Sequence, residues 1–193
     1  MAEKKLPWAF LEEYRGKAFN GEWPTLPEMF KIVSEKFAER NCFTCFAPDR
    51  ITLTYRQVAQ KVEKLSQWIL SKGIKKGDRI AVTGANSPEW ATVFISALFA
   101  GAVIVPIDHG LNVKQVQNLL NASKPKMFFV DDDKYDFFKE NSSDMGILSI
   151  GKKDPEKYVY TLSTEKKFTA ELPEENDLCA ILFTSGTTGN PKV

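Results

Sequence analysis

A run of hydroxyl residues, glycines and one lysine stands near the end of the chain. Its members are Thr184, Ser185, Gly186, Thr187, Thr188, Gly189 and Lys192. Glycine lets several backbone N–H groups converge on one point, and hydroxyl and ammonium groups add charge-assisted hydrogen bonds. These residue types at this spacing predict a loop that binds phosphate.

The spacing separates this loop from two other phosphate-binding loops. A Walker loop needs a lysine that follows glycine and precedes a hydroxyl residue, whereas Pro191 precedes Lys192 here and Val193 follows it. A Rossmann dinucleotide fingerprint needs Gly-x-Gly, which occurs nowhere in the chain. The remaining alternative is a solvated loop of serine, threonine and glycine without a ligand.

The elements around the loop predict a sheet with strands and helices in alternation. The run Leu178–Phe183 is almost wholly apolar and predicts a strand that is covered on both faces. Helix starts are marked by Thr54, by Ser87 with Pro88, and by Asn112. Strands are predicted in the sequences DRIAVTGA, AVIVPI, KMFFVDD and ILSI, and mainly surface loops between residues 141 and 176.

This alternation predicts an α/β fold, with a mostly parallel, doubly wound sheet and helices on both faces. The apolar stretch from Trp90 to Ile107 has about the length of a short membrane span. Gly101 and the β-branched residues after it favour a helix followed by a strand instead.

The composition limits which binding partners and which cellular compartment are expected. The 193 residues include 26 Lys and Arg against 25 Asp and Glu, so a nucleic-acid partner is not expected. Three cysteines, Cys42, Cys45 and Cys179, do not form a disulfide framework, and the N-terminus lacks the apolar stretch of a signal peptide. A cytoplasmic protein is expected.

Residues 1–24 are interpreted as a surface arm, whose tryptophans Trp8 and Trp23 also allow peripheral contact with the inner face of the membrane.

The string FTSGTTGNPK resembles the phosphate-loop signature of the AMP-forming adenylating enzymes, which include acyl-CoA synthetases, aryl-CoA ligases, luciferases and peptide-synthetase adenylation domains. The nine positions from Thr184 to Lys192 match that signature. The strings LTYRQV, GIKKGDRIAVTGANSPEW and ALFAGAVIVPID resemble other landmarks of the family, in the expected order. One departure is Val193, where the family usually has glycine.

The resemblance implies a domain assignment. Residues 25–193 would be the N-terminal α/β portion of the adenylating domain, which is the large N-terminal domain of these enzymes. The family places its adenine pocket, magnesium-binding acid, hinge and catalytic lysine in later sequence, so this chain alone is expected to be inactive.

The resemblance also implies a reaction. A carboxylate attacks the α-phosphate of ATP, pyrophosphate leaves, and the acyl-adenylate passes its acyl group to a thiol. ATP, Mg²⁺ and coenzyme A are the implied cofactors, with a carrier protein as the other possible thiol. The string NSPEW followed by AGAVIVPID resembles the long-chain fatty acyl-CoA synthetases most, so a fatty acid is the expected substrate.

Within this reaction, the loop residues Thr184, Ser185, Gly186, Thr187, Thr188, Gly189 and Lys192 would hold the β- and γ-phosphates of ATP. Asp108 and His109 end a predicted strand where α/β sites gather, but they are not assigned to the site. The alternative function is a non-catalytic nucleotide-binding or interaction module on the same scaffold.

Overall fold

The computed structural model describes residues 6–46, 50–142 and 145–183 of the chain. Its described helices are a short 3-10 helix and five α-helices. Their bounds are Ala9–Tyr14 for the 3-10 helix, Leu26–Lys36 for α1, Tyr55–Ser71 for α2, Pro88–Phe99 for α3, Val113–Ser123 for α4 and Asp132–Asn141 for α5. The described strands are Asn41–Cys45 for β1, Ile51–Thr54 for β2, Arg79–Thr83 for β3, Val103–Ile107 for β4, Met127–Val130 for β5 and Gly146–Ser149 for β6.

The predicted helix starts are confirmed by their caps. Thr54 and Gln57 form a reciprocal capping box at the start of α2, with the Thr54 N–H donating to Gln57 Oε1 at 2.9 Å. The Trp90 N–H donates to Ser87 Oγ at 3.1 Å, and Pro88 occupies the first turn of α3. Each cap satisfies N–H groups that have no partner inside the helix.

Four strands form the parallel sheet that the sequence predicts. The strand order is β4-β3-β5-β6, and all three neighbouring pairs are parallel. Strands β1 and β2 form a separate antiparallel pair, which the sequence analysis did not predict. The stretch from Trp90 to Ile107 is α3 followed by β4, as expected. No helix in the described part of the chain is long and apolar enough to cross a membrane.

Two apolar clusters cover the two faces of the sheet. Helices α2 and α3 pack on one face, which we call the α2/α3 face, against Ile80, Val82 and Phe129. Helices α4 and α5 pack on the other, the α4/α5 face, against Ala81, Val105 and Phe128. The alternation of side chains along each strand explains why neighbouring residues serve opposite faces. The doubly wound α/β fold is therefore confirmed.

The residues before α1 pack on the body of the protein through a third, smaller cluster. Leu11 and Phe19 are buried against Ile32 of α1, with Phe10 and Tyr14 partly buried beside them. Ile32 lies outside the predicted arm, so this cluster joins the arm to the first long helix.

The prediction of a strand covered on both faces at residues 178–183 was wrong. This stretch, which we call the edge segment, forms a single parallel bridge, from Ala180 to Ile104 of β4. Leu178 and Leu182 are 62% and 63% exposed, because no described residue covers their side of the segment. The apolar composition is that of a buried strand, but burial depends on a neighbour that the local sequence does not reveal.

Two other predictions need smaller corrections. Strand β5 ends at Val130, and Asp132 begins α5, so the two aspartates of KMFFVDD do not belong to the strand. Residues 141–176 are not only surface loops, since Val159 and Leu162 are buried in the core on the α2/α3 face. The Val159 N–H donates to the Ser149 carbonyl at 2.9 Å, which ties this stretch to the end of β6.

The neighbours Phe137 and Phe138 offer a matched test of this packing. Phe138 is fully buried and contacts Phe128 edge-to-face at 5.0 Å, whereas Phe137 is 40% exposed. We expect Phe138→Ala to lower the free energy of unfolding by about 3–5 kcal/mol, since it removes a fully buried ring and leaves a cavity. Phe137→Ala should cost about 1 kcal/mol or less. Urea unfolding of the two variants checks this, and equal losses would contradict the assignment of Phe138 to the core.

Candidate functional site

The predicted phosphate loop begins where the described structure ends. Its residues Thr184, Ser185, Gly186, Thr187, Thr188, Gly189 and Lys192 lie outside the described residues. The edge segment that leads to the loop is described as far as Phe183. The position of the chain relative to the sheet is therefore described up to the residue before the loop.

The edge segment is aligned in parallel with β4. The Ile104 N–H donates to the Cys179 carbonyl at 3.0 Å, and the Ile181 N–H donates to the Ile104 carbonyl at 2.9 Å. Ile181 and Phe183 pack on the α4/α5 face, while Ala180 packs on the α2/α3 face. Because the pairing is parallel, the segment runs in the same direction as β4, toward the carboxyl edge of the sheet.

The carboxyl edge contains a crevice between β3 and β5. Helix α3 follows β3 on the α2/α3 face, and α5 follows β5 on the α4/α5 face. Connections that leave neighbouring strands toward opposite faces open a crevice at this point, and ligands of open α/β sheets bind in such crevices. The topology thus selects the carboxyl ends of β3 and β5 as a candidate site.

Asp131, the residue after β5, organises this crevice. Its Oδ2 lies 2.9 Å from His109 Nδ1 and accepts a hydrogen bond from the Ala85 N–H at 3.2 Å. Gly84 stands between β3 and this contact with a φ of +153°. A Cβ at Gly84 would lie 2.4 Å from Ile150 Cδ1 and 3.1 Å from Asp131 Oδ2, so any larger residue at this positive φ would force those side chains to move.

The carboxylates of this crevice have opposite pKa shifts. Burial, followed by the nearby Asp133, raises the pKa of Asp131 to about 6, although His109 acts in the opposite direction. The hydrogen bond with Asp131 lowers the pKa of Asp133. The Asp131 Oδ1 atom is buried with no hydrogen-bond partner. A negative charge held here at neutral pH disfavours phosphate, so this crevice differs in chemistry from the predicted loop.

His109, Asp131 and Asp133 form the one group among the described residues that could hold a metal ion. Their potential ligand atoms lie within 4.8 Å of one another. His109 and Asp133 are exposed, and exposed acidic groups often come together without a metal. Asp133 also lies in the first turn of α5, where a carboxylate stabilises the helix dipole. His109 was noted from the sequence, whereas both aspartates were assigned to a strand or passed over.

A cavity of about 570 Å³ opens beside this crevice on the α2/α3 face. Glu89, Tyr158 and Tyr160 line it, with Lys61 and Ile150. The Tyr158 hydroxyl donates to Glu89 Oε1 at 2.8 Å, and the Lys61 ammonium lies 3.7 Å from the centre of the Tyr160 ring. Burial is the main cause of the lowered pKa of Lys61. These aromatic residues lay in a stretch that was predicted to be loop, so the sequence did not reveal the cavity.

Glu89 and Trp90 have structural roles at the start of α3. Glu89 lies in the first turn of α3 and is bonded to Tyr158. Trp90 is partly buried and stacks on Phe94 with 5.6 Å between the ring centres. Cys42 and Cys45 are partly buried on β1, and burial raises the pKa of Cys42 to about 11, so its thiol stays protonated near neutral pH.

The chain is similar to proteins named as acyl-CoA ligases. It is 34% identical over 148 residues to YdaB of Bacillus subtilis, which is named as an acyl-CoA ligase, over 73% of this chain and 29% of that protein. It is 30% identical over 159 residues to long chain acyl-CoA synthetase 4 of Arabidopsis thaliana, over 72% of this chain and 24% of that protein. The chain thus spans less than a third of the length of these relatives.

A solved structure from Rhodopseudomonas palustris, named as a long-chain-fatty-acid CoA ligase, shares the fold. Its TM-score is 0.76 at 22% identity, and the match covers 88% of this chain and 43% of that one. The family model described as AMP-binding enzyme matches residues 30–193, and the chain therefore belongs to the family of AMP-binding enzymes.

Proposed function

We propose that this chain is the phosphate-loop portion of an ATP-dependent ligase that converts a carboxylic acid to acyl-AMP and then to acyl-CoA. One observation carries the proposal. The loop sequence TSGTTGNPK directly follows an edge segment that runs parallel to β4, inside the region that matches the AMP-binding enzymes. A phosphate loop that follows a parallel strand stands at the edge of the sheet where α/β proteins bind ligands.

The loop residues act by position and charge. Ser185, Thr187 and Thr188 donate hydrogen bonds to oxygens of the β- and γ-phosphates, and Lys192 offsets their negative charge. Gly186 and Gly189, with Thr184 before them, let the backbone approach the phosphates closely. The attacking nucleophile is the carboxylate of the substrate, so the loop contributes positioning and electrostatic stabilisation. Mg²⁺ enters with ATP, and no residue of this chain is assigned to it.

The acid that we propose is a fatty acid, and the thiol is that of coenzyme A. The similarity to long chain acyl-CoA synthetase 4 supports both choices. The short share of the relatives that this chain spans supports a longer ligase, whose later sequence completes the ATP and acyl pockets. Residues 25–193 would then form the first part of the adenylating domain.

The ligase would work in the cytoplasm and touch the membrane only at its surface. Trp8 and Trp23 of the arm are each 46% exposed, and tryptophan favours the interface of a bilayer. Trp8→Ala and Trp23→Ala should each reduce sedimentation of the chain with phospholipid vesicles. The matched control is Trp68→Ala on α2, where the indole packs on the core. Unchanged sedimentation of both arm variants would exclude the arm as the contact.

The proposed reaction is tested by measuring pyrophosphate release with ATP, Mg²⁺ and a panel of fatty acids. The full-length ligase should release pyrophosphate in proportion to the acid consumed. The 193-residue chain should release none, because in our proposal the rest of the ATP site is formed by later sequence of a longer ligase. Turnover by the 193-residue chain would contradict this assignment. ATP binding by the full-length protein without turnover on any acid would favour the non-catalytic module.

The roles of Lys192 and Thr188 are tested in the full-length ligase. We expect Lys192→Ala to slow adenylation roughly tenfold to a hundredfold, because a hydrogen bond to a charged group contributes about 1.5–3 kcal/mol. Thr188→Val should also slow adenylation. In our proposal both side chains lie on a loop and contact ATP, so the melting temperature without ATP should change little.

Pre-steady-state pyrophosphate release at several ATP concentrations, together with a melting curve, separates activity from folding. Lys167→Ala is a matched control, since this exposed lysine lies in a loop before the edge segment. Wild-type adenylation by both loop variants would mean that the backbone alone binds the phosphates. A large fall in melting temperature would assign the loop a structural role.

A further inference from the structure

Residues 171–177, which we call the connecting segment, lead into the edge segment with little support from apolar packing. Leu172 is 59% exposed, and Leu178 just after the connecting segment is exposed as well. A cavity of about 550 Å³ lies against this stretch and is lined in part by Trp23, Leu98 and Pro173. Polar contacts must therefore hold the connecting segment in place.

Lys76 supplies the central polar contact. Its Nζ lies 2.7 Å from Asp177 Oδ2, 3.7 Å from Glu171 Oε1 and 3.8 Å from Glu174 Oε1. The side chains of Lys76 and Asp177 are 20% and 36% exposed, so this pair is partly shielded from solvent, whereas Glu171 and Glu174 are 77% and 85% exposed and contribute less. The hydrogen bond between Lys76 and Asp177 raises the pKa of the lysine and lowers the pKa of the aspartate, so both stay charged near neutral pH.

Asp177 also closes the turn that begins the edge segment. Its Oδ2 accepts the Glu174 N–H at 2.6 Å, while its own N–H donates to the Glu174 carbonyl at 3.1 Å. Two residues later, the Cys179 carbonyl accepts the first hydrogen bond from β4. The Lys76 contact thus lies immediately before the paired residues.

The connecting segment packs against the backbone around Lys76 and Gly101. The Gly77 N–H donates to the Gly101 carbonyl at 2.9 Å, which links the turn before β3 to the turn before β4. Gly101 has a φ of +72°, and a Cβ there would lie 2.5 Å from the Glu171 carbonyl oxygen. The connecting segment is therefore held directly against the amino ends of the two strands that order the sheet.

We propose that Lys76 is a positioning residue for the ATP phosphates, because its contact with Asp177 sets the register in which the edge segment pairs with β4. The proposal rests on the proposed function of the loop. Among the described residues, only two backbone hydrogen bonds join the edge segment to β4, and both involve Ile104, so they need a further contact to keep the register. A slip that keeps side chains on their own faces moves a strand by two residues, which is about 7 Å and would displace the start of the loop sequence.

Amide hydrogen exchange on this chain tests the register of the edge segment and needs no enzyme assay. Lys76→Met removes the charge and keeps the apolar stem, and we expect the Ile181 amide to exchange about tenfold faster, since its pairing opens more often. Lys76→Arg should retain protection. Lys75→Met is the matched control, because Lys75 is exposed and forms no ion pair among the described residues. Equal protection in Lys76→Met and wild type would overturn the proposal.

The consequence for ATP is tested in the full-length ligase. Lys76→Met should raise KM for ATP about twofold to fivefold, the scale expected of a partly exposed ion pair, with KM for the acid and for the thiol unchanged. Lys76→Arg should restore KM for ATP. Asp177→Asn should shift KM for ATP in the same direction, and the double variant should shift it by less than the sum of the two single shifts, because the two residues share one contact.

Two results separate this proposal from the proposed function. An unchanged KM for ATP in Lys76→Met, or a loss of kcat alone that follows the melting temperature, would overturn the positioning role. A wild-type ligase that adenylates no acid would remove the proposed function. The exchange measurement would then decide by itself whether Lys76 positions the edge segment.

Discussion

The fold depends on the burial of β3 on both faces. This strand lies between β4 and β5, and its residues from Ile80 to Thr83 are fully buried. Its two neighbours in the sheet are parallel to it, and parallel strands cannot be joined by short hairpins. The helical connections that join them cover both faces of β3. Helix α3, which connects β3 to β4, lies on one face, and helix α4, which connects β4 to β5, lies on the other. These helical connections in turn create the crevice at the carboxyl edge.

The carboxyl edge combines two environments with different chemistry. Between β3 and β5, Asp131 is held against His109 and the Ala85 N–H, so this part of the edge is negative near neutral pH. Beside β4, the edge segment runs toward the same edge, and in our proposal the glycines, hydroxyls and lysine that follow it in the sequence would bind phosphate there. The separation matters, because a phosphate and a carboxylate cluster repel each other at short range.

Local signals explain which elements the sequence predicted and which it missed. The caps of α2, α3 and α4 combine a polar N-cap with correct apolar spacing, and these helices were predicted. Helix α1 was missed although Glu28 accepts hydrogen bonds from the N–H and hydroxyl of Thr25, a capping signal that was present in the sequence. Helix α5 was missed because three of its residues are aromatic and its first acids continue directly from β5. The β1–β2 pair was missed because its strands are only partly buried and therefore lack the continuous apolar run of the buried strand β5.

The sequence by itself predicted a phosphate loop, and it determined the parallel α/β class and the resemblance to adenylating enzymes, because these depend on residue types at short, fixed spacings. The tertiary structure decided which distant residues meet. Asp131 meets His109 and Ala85, Tyr158 meets Glu89, and Asp177 meets Lys76 only after the strands have been ordered. It also decided that Leu178 and Leu182 are exposed, since burial requires a neighbour on the outer side of the edge segment. Contacts between residues far apart in the chain follow from the crossings of the sheet, and no local pattern encodes them.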